Sequence, residues 1–482
     1  MASISESGSP RRAFAVFACI FAIALAAVLW AAASARAAEF VYWNNYSGDP
    51  DTIAFAGIDG SGGGVLNASG APQIESPEGM AYDPVTNRLF VANSGGTPDG
   101  QITAINLDGS GATAFTAPGA PIDEPEGVVI DPVTRMIYWV NVDASPDGSI
   151  GWAHLDGSSG GALNTTGATL DGPYKLSLDP VAGKVYWANT DPTPEIISYA
   201  NANNSGGGGD LNLAGAPTPA GITGFSVDPA GNRIYWSENG SVEDRVSFAA
   251  LSGGSGGGVN LTGAALNEPY GLAFDPSLGR LYWGNYGNDT TAAGAIGFAN
   301  LSGGAGGINI LTAPVDGPQD PVILKSPSGT GAPAVTRSKK SPSSLSCSTG
   351  AWSPDFAGSF VYQSPRSFAY QWTRNGAAIA GATANTFVAK SPGQYACQVT
   401  ATNQAGSASQ GSAAAKVKAA KVKLSTKKKA TVKAGGVAKF KVKGVNQGDL
   451  QSKKARVCTK LPKGAKGVLE APKCKTLGKL KG

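Results

Sequence analysis

Apolar residues in this chain recur in short alternating runs, and no helical spacing of useful length interrupts them between residues 40 and 325. The run Met136-Ile137-Tyr138-Trp139-Val140-Asn141 returns in close copies along the chain. Its aromatic falls at Tyr42, Phe90, Tyr138, Tyr186, Tyr235 and Tyr282, with spacings of 48, 48, 48, 49 and 47 residues. Trp43, Trp139, Trp187, Trp236 and Trp283 follow five of the six, and Val91 replaces Trp in the second copy. Adjacent strand residues face opposite sides, so a Tyr-Trp pair predicts a strand covered on both faces.

Three further elements repeat in phase. A strand opens at a Pro-x-Gly turn and closes in Asp-Pro, as in Pro77 to Pro84, Pro125 to Pro132 and Pro269 to Pro276. Copies three and four depart, with Lys175 and Gly224 at the Gly position, yet keep Asp179-Pro180 and Asp228-Pro229. Asp and Pro suit a tight turn, since Pro presets φ and Asp bonds nearby backbone amides. A third strand runs from Ile53 to Ile58, with copies through Ile296 to Leu301, and a short fourth strand such as Leu163-Asn164 or Ile308-Asn309-Ile310 completes each unit. Asp83, Asp131, Asp179, Asp228 and Asp275 therefore read as turn residues, with Arg88, Lys184, Arg233 and Arg280 as cations across the turn.

A period near 48 marks stacked units that cannot bury their own faces alone. The first copy begins at its second strand, Phe40-Val41-Tyr42-Trp43, and Gly317 to Leu324 reads as an inner strand with no unit behind it. Joined, the two close a ring of six four-stranded units and leave no end unit exposed. The pattern P-x-G-x-x-x-D-P, then Y-W, then I-x-x-A-x-L-D-G-S, covers about 285 residues. It resembles the class B (YWTD) propeller of the low-density lipoprotein receptor family. That resemblance implies a six-bladed β-propeller at 39–325 that binds other extracellular proteins through one face. The chain departs from the family by ending the aromatic strand in Asn93, Asn141, Asn189 and Asn285, where the family has Thr-Asp, and by extra Gly in its Gly-Ser turns.

After a Pro/Ser/Gly linker at 326–336, Cys347, Trp372 and Cys397 lie 25 residues apart each way, with Tyr395 two before the second Cys. Residues 337–417 so resemble an immunoglobulin-like sandwich, which implies a Cys347–Cys397 disulfide under Trp372 and a corner made by Tyr395. Residues 418–482 are Lys-rich but alternate charged and apolar positions, as in Lys421 to Leu424 and Lys439 to Lys443. They resemble a bacterial surface-repeat β-sandwich, possible truncation included, with Cys458 and Cys474 available to pair across it. The expected fold class is all-β throughout.

Charge divides the chain in two. From Lys416 onward 20 Lys and Arg456 oppose Asp449 and Glu470, a net of +19, which leaves −15 on the preceding 415 residues. The Lys-rich end is expected to meet anionic envelope polymers; without interleaved aromatics, specific nucleic-acid recognition is not expected. At the N-terminus Arg11-Arg12, an apolar run from Ala13 to Ala33 and Ala35-Arg36-Ala37 read as an export signal over 1–38, or as a membrane anchor where it is not cleaved. The four cysteines beyond it, an even number, suit a secreted or cell-surface protein.

Catalytic signatures are scarce. His154 is the one histidine and sits in a strand, so no Ser-His-Asp triad is available. The G-x-S-x-G strings at Gly157 and Gly253 lie in strand-to-strand turns, without the helix that a nucleophile elbow needs. No cofactor motif and no thiolate metal site is expected. The Pro-x-Gly turns and the loops after the Tyr-Trp strands open on one face, which gathers Asp49, Asp51, Asp99, Asp143, Asp147, Asp191, Glu195, Glu243, Asp244 and Asp289. Its inner mouth is expected to present Glu78, Glu126, Tyr174, Thr223, Tyr270 and Gln319 as the ligand site. The expectation is a monomeric, non-catalytic protein that binds an extracellular protein or glycan there. The alternative is a metal-assisted lyase or lactone hydrolase using Glu78 and Glu126.

Overall fold

A computed structural model describes residues 40–46, 51–58, 60, 62–66, 74–96, 100–142, 148–240, 243–276, 278–287, 294–303, 306–309, 315–353, 356–357, 367–403, 406–426, 442–458, 474–477 and 479–481. The proposed export segment lies outside them. So do Asp49, Asp99, Asp143, Asp147 and Asp289. Every regular element among the described residues is a β-strand. The chain divides into two compact units, one of residues 1–327, 353–366 and 403–406, the other of 328–352, 367–402 and 407–482.

In the first unit, five antiparallel sheets each take four consecutive strands. One is Pro125–Asp131, Met136–Asn141, Ser149–His154 and Gly160–Ala162. The sixth draws on both ends of the ring. The inner strand Pro318–Leu324 pairs with Phe40–Asn45, which continues to Thr52–Gly57 and Gly63–Val65. Phe40 lies opposite Leu324, Val41 opposite Ile323 and Tyr42 opposite Val322. The inner strands touch in order, Pro77–Asp83, Pro125–Asp131, Pro173–Asp179, Ile222–Asp228, Pro269–Asp275, Pro318–Leu324 and back to Pro77–Asp83. The sheets therefore form a closed β-propeller.

Register explains the repeated aromatics. Trp43, Trp139, Trp187, Trp236 and Trp283 are fully buried, and each faces a small third-strand residue: Ala54, Gly151, Ser198, Ser247 and Gly297. At Gly151 a β-carbon would sit 2.2 Å from the Trp139 ring, so an indole and a larger partner cannot share that pair. On the opposite face, the second-strand aromatic meets a third-strand one: Tyr42 with Phe55, Tyr138 with Trp152, Tyr186 with Tyr199, Tyr235 with Phe248 and Tyr282 with Phe298. Such cross-strand aromatic pairs stabilise a sheet by roughly 0.2–1 kcal/mol each.

The Asp-Pro turns form as the sequence suggests, with Asp83 accepting from the amides of Val85 and Thr86, and Asp131 from those of Val133 and Thr134. Their cations differ from expectation. Asp83 pairs with Arg135 of the next sheet and Asp275 with Lys325, 2.6 Å away. Arg88 instead donates to the carbonyls of Ala104 and Gly111, while Lys184, Arg233 and Arg280 lie over the rings of Tyr199, Phe248 and Phe298. The fourth strand is also set slightly earlier than expected, at Gly160–Ala162 and Gly307–Asn309.

In the second unit, Val335–Arg337, Ser344–Cys347 and Thr386–Val388 form one sheet, and Ser367–Arg374 with Gly393–Asn403 the centre of another. Cys347 and Cys397 are joined by a disulfide. Trp372, fully buried, lies opposite Cys397, and the Tyr395 hydroxyl donates to the Ser391 carbonyl at 2.7 Å. In the Lys-rich part, Val422–Thr426 pairs with Val442–Asn446, and Ala455–Cys458 with Cys474–Leu477, bringing the Cys458 backbone opposite that of Cys474. Asp449 accepts from the Lys418 amide and from Arg337 of the first of these sheets.

Candidate functional site

The mouth of the ring is shaped by a device repeated in every sheet. The residue before each inner strand has a left-handed backbone: Ser76 (φ 47), Glu124 (φ 44), Gly172 (φ 57), Gly221 (φ 74), Glu268 (φ 46) and Gly317 (φ 58). Its carbonyl accepts an amide from the loop after the second strand, from Ser94, Val142, Thr190, Asn239, Tyr286 and Tyr46 in turn. The Asn that ends each aromatic strand fixes the same corner. The Oδ1 atoms of Asn45, Asn93, Asn141, Asn189 and Asn285 accept the amides of Asp316, Glu75, Asp123, Asp171 and Asn267. In the remaining sheet Glu238 does this for Ala220, and its buried carboxylate is paired with Arg245. The Asn residues that depart from the YWTD pattern are thus staples for the mouth, a role that their recurrence 18 residues after the bonded amide could have revealed.

Three of the five described rim acids are part of this scaffold. Asp51 accepts the Ser76 amide at 2.7 Å, Glu195 takes the amides of Gly221 and Ile222 at 2.8 Å, and Asp244 that of Glu268 at 2.7 Å. These carboxylates are occupied by backbone. Asp191 and Glu243 are exposed.

At the mouth the inner strands approach so closely that a β-carbon on Gly79 would lie 2.8 Å from the Glu126 carbonyl oxygen. Two sheets carry a side chain at this position, Lys175 and Asp320, both with positive φ. Their strands are three places apart in the ring, and the two side chains meet across the axis, Lys175 Nζ to Asp320 Oδ2 at 3.3 Å. Lys175 also donates to Glu78 Oε2 at 3.2 Å, to the Glu126 carbonyl at 3.3 Å and to the Glu78 carbonyl. Burial works against the Lys175 charge, but Asp320, Tyr174, Glu78 and Glu126 outweigh it, and the pKa stands well above the usual lysine value. Burial, then Glu78, pushes the Glu126 carboxyl up to about 8. Burial pushes Asp320 up to about 6, with Lys175 pulling the other way.

The six anticipated mouth residues therefore divide. Glu78 and Glu126 join the cluster around Lys175, a residue the motif comparison registered only as a departure. Thr223 is buried, with its hydroxyl on the Pro269 carbonyl and beside Ser237 Oγ, and it serves as structure rather than ligand contact. Gln319 is 3% exposed and its Oε1 has no partner among the described residues. Tyr174 and Tyr270 are half-buried. Two tyrosines from the loops complete an aromatic wall: Tyr270 lies 5.1 Å from Tyr286, and Tyr286 lies 6.3 Å from Tyr46, measured between ring centres. Below the cluster a cavity of about 90 Å³ runs along the channel between Met80, Val128, Leu176, Phe225, Leu272 and Val322. His154 stands at the far end of its strand from this mouth.

A metal does not fit the cluster. The ammonium of Lys175 already lies among the carboxylates of Glu78 and Asp320, and among the described residues no three His, Cys, Asp or Glu side chains are placed to hold an ion.

No protein-family model matches the sequence, and no curated protein sequence matches it. Solved structures do resemble it in fold. A chain of a nidogen/laminin complex is 16% identical over 55% of this chain and 90% of its own, with a TM-score of 0.42. TolB from Acinetobacter baumannii is 13% identical over 59% and 66%, with a TM-score of 0.41. The gluconolactonase XC5397 from Xanthomonas campestris is 12% identical over 59% and 87%, with a TM-score of 0.37.

Proposed function

We propose that the chain is an exported, non-catalytic binding protein that captures an extracellular protein or glycan at the propeller mouth. In this reading the ring is a six-bladed propeller of the YWTD class. Residues 337–417 form an immunoglobulin-like spacer, and the Lys-rich end attaches to anionic envelope polymers. The observation that carries the reading is the mouth itself, where the half-buried Tyr46, Tyr174, Tyr270 and Tyr286 stand around a cluster of acids held by one lysine. Amphipathic rings on a rigid rim suit recognition, since they contribute apolar contact area with little loss of freedom. Against metal-assisted hydrolysis stands Lys175, whose ammonium lies among the carboxylates that would have to hold the metal.

Retention of envelope material from the producing cell on the immobilised full chain is the test. Tyr286→Ala together with Tyr270→Ala is expected to lower specific capture at least tenfold, with the capture unaffected by chelator. Capture unchanged by these substitutions would sink the proposal. Chelator-sensitive turnover of a lactone, lost in Glu78→Ala, would favour the enzyme instead.

A further inference from the structure

We infer that the group received at the mouth is a protonated amine or a guanidinium, and that its arrival expels a proton held by Glu126. The inference rests on the binding function proposed above and names the chemistry of its ligand. Three observations lead to it. Tyr270, Tyr286 and Tyr46 are tilted by 49° and 57° to one another, so they form walls of a cage rather than a flat shelf. Electron-rich ring faces set around one space attract a cation. Among the described residues, Gln319 Oε1 and Glu126 Oε2 in the mouth ring accept no hydrogen bond, and the one side-chain partner of the Glu126 carboxyl is another acid, Glu78. A cation bearing N–H groups offers what both the rings and these oxygens lack.

The charge balance points the same way. Glu126 is faced by Glu78 from Pro77–Asp83, by Tyr174 and Lys175 from Pro173–Asp179, by Asp320 from Pro318–Leu324 and by Tyr46. One lysine serves three acids, so the site holds a proton on Glu126 until a second positive charge arrives. With the Glu126 carboxyl pushed up to about 8, the free mouth is largely protonated near neutrality. A bound cation favours the carboxylate, the proton passes to solvent, and affinity rises with pH until Glu126 is ionised in the free protein.

Calorimetric titration of the full chain with the methylamides of Nα-acetyl-lysine and Nα-acetyl-arginine tests this. The uncharged norleucine analogue serves as control and a neutral disaccharide as the glycan arm. The charged probes are expected to bind at least tenfold more tightly than norleucine. Their affinity should climb by up to about tenfold per pH unit between 6 and 8 and level off above. Glu126→Gln should abolish the climb, and Tyr270→Leu should weaken binding at every pH; near-UV circular dichroism checks that both variants are folded. Equal binding of norleucine, or an undiminished climb in Glu126→Gln, overturns the inference. Disaccharide binding without cation binding overturns it too, but leaves the mouth as a recognition site; binding of none of the probes also overturns it.

Discussion

The mouth depends on single side chains whose roles follow from where they stand. Lys175 occupies a position that crowding reserves for glycine in four of the six inner strands, and it reaches an aspartate from the strand opposite. Replacing it with Met leaves Asp320 and Glu78 buried without a cation, a change that typically costs 3–5 kcal/mol. Burial already pushes the Asp320 carboxyl up, so it takes up a proton as pH falls, and denaturant titration should find the loss larger at pH 8 than at pH 5. Glu126 and Asp320 supply a second signature. Their folded-state pKa values lie above the ordinary carboxyl values, so the native chain holds extra protons between those limits. Their contribution to stability is present in acid and declines as pH rises through about 6 for Asp320 and about 8 for Glu126. Thermal melts should therefore weaken from pH 6 to pH 9, and weaken less in Glu126→Gln. Away from the mouth, Gly151→Ala should cost about 1–3 kcal/mol by forcing a methyl against Trp139, whereas Gly258→Ala meets nothing within 4 Å and should be far milder.

Within each sheet, the Asn staple links the aromatic strand to the loop that enters the inner strand. One sheet solves the problem differently. Glu238 and Arg245 stand at the register that Asn93 and Gln101 occupy three sheets earlier in chain order, with the Asn141 and Asn189 sheets between. Glu238 is fully engaged by Ala220, Arg245 and Ser247, and the indole N–H of Trp236 has no acceptor among the described residues. Its counterparts Trp43 and Trp283 donate to Asn45 and Asn285. Arg245→Gln alone should destabilise by several kcal/mol, since it strands a buried carboxylate. Adding Glu238→Asn should recover most of that loss by restoring the acceptor for Trp236, and a double-mutant cycle in urea measures the coupling.

For the molecule as a whole, much of the ring was legible because its signals are local and repeated. The Tyr-Trp register, the Asp-Pro turns and the pairing of Phe40–Asn45 with Pro318–Leu324 all follow from short patterns in phase. The cluster at the mouth was not legible. Its partners are up to 145 residues apart, and Lys175 breaks the motif instead of matching it. The cations of Asp83 and Asp275 were missed for the same reason: five residues on, Arg88 binds carbonyls and Arg280 stacks on a ring, while the true partners arrive about one repeat later. Segment 353–366 gave no signal either. It belongs to the first unit although its chain neighbours belong to the second, and Phe356–Ala357 pairs with Ile323 and Leu324. In the second unit, the disulfide closes a separation of 50 residues. Replacing both cysteines with Ala should cost on the order of 4 kcal/mol. Calorimetry should register that as a lowered transition for the second unit while the propeller's own transition stays in place.

The ladder that shuts the ring has a direction. Asn45 faces Pro318 at the end beside the mouth, and Phe40 faces Leu324 at the other end, where the polypeptide both comes in and goes out. The closing strands thus set Phe40 and Leu324 a full strand's length from the tyrosine rim, within the ring itself.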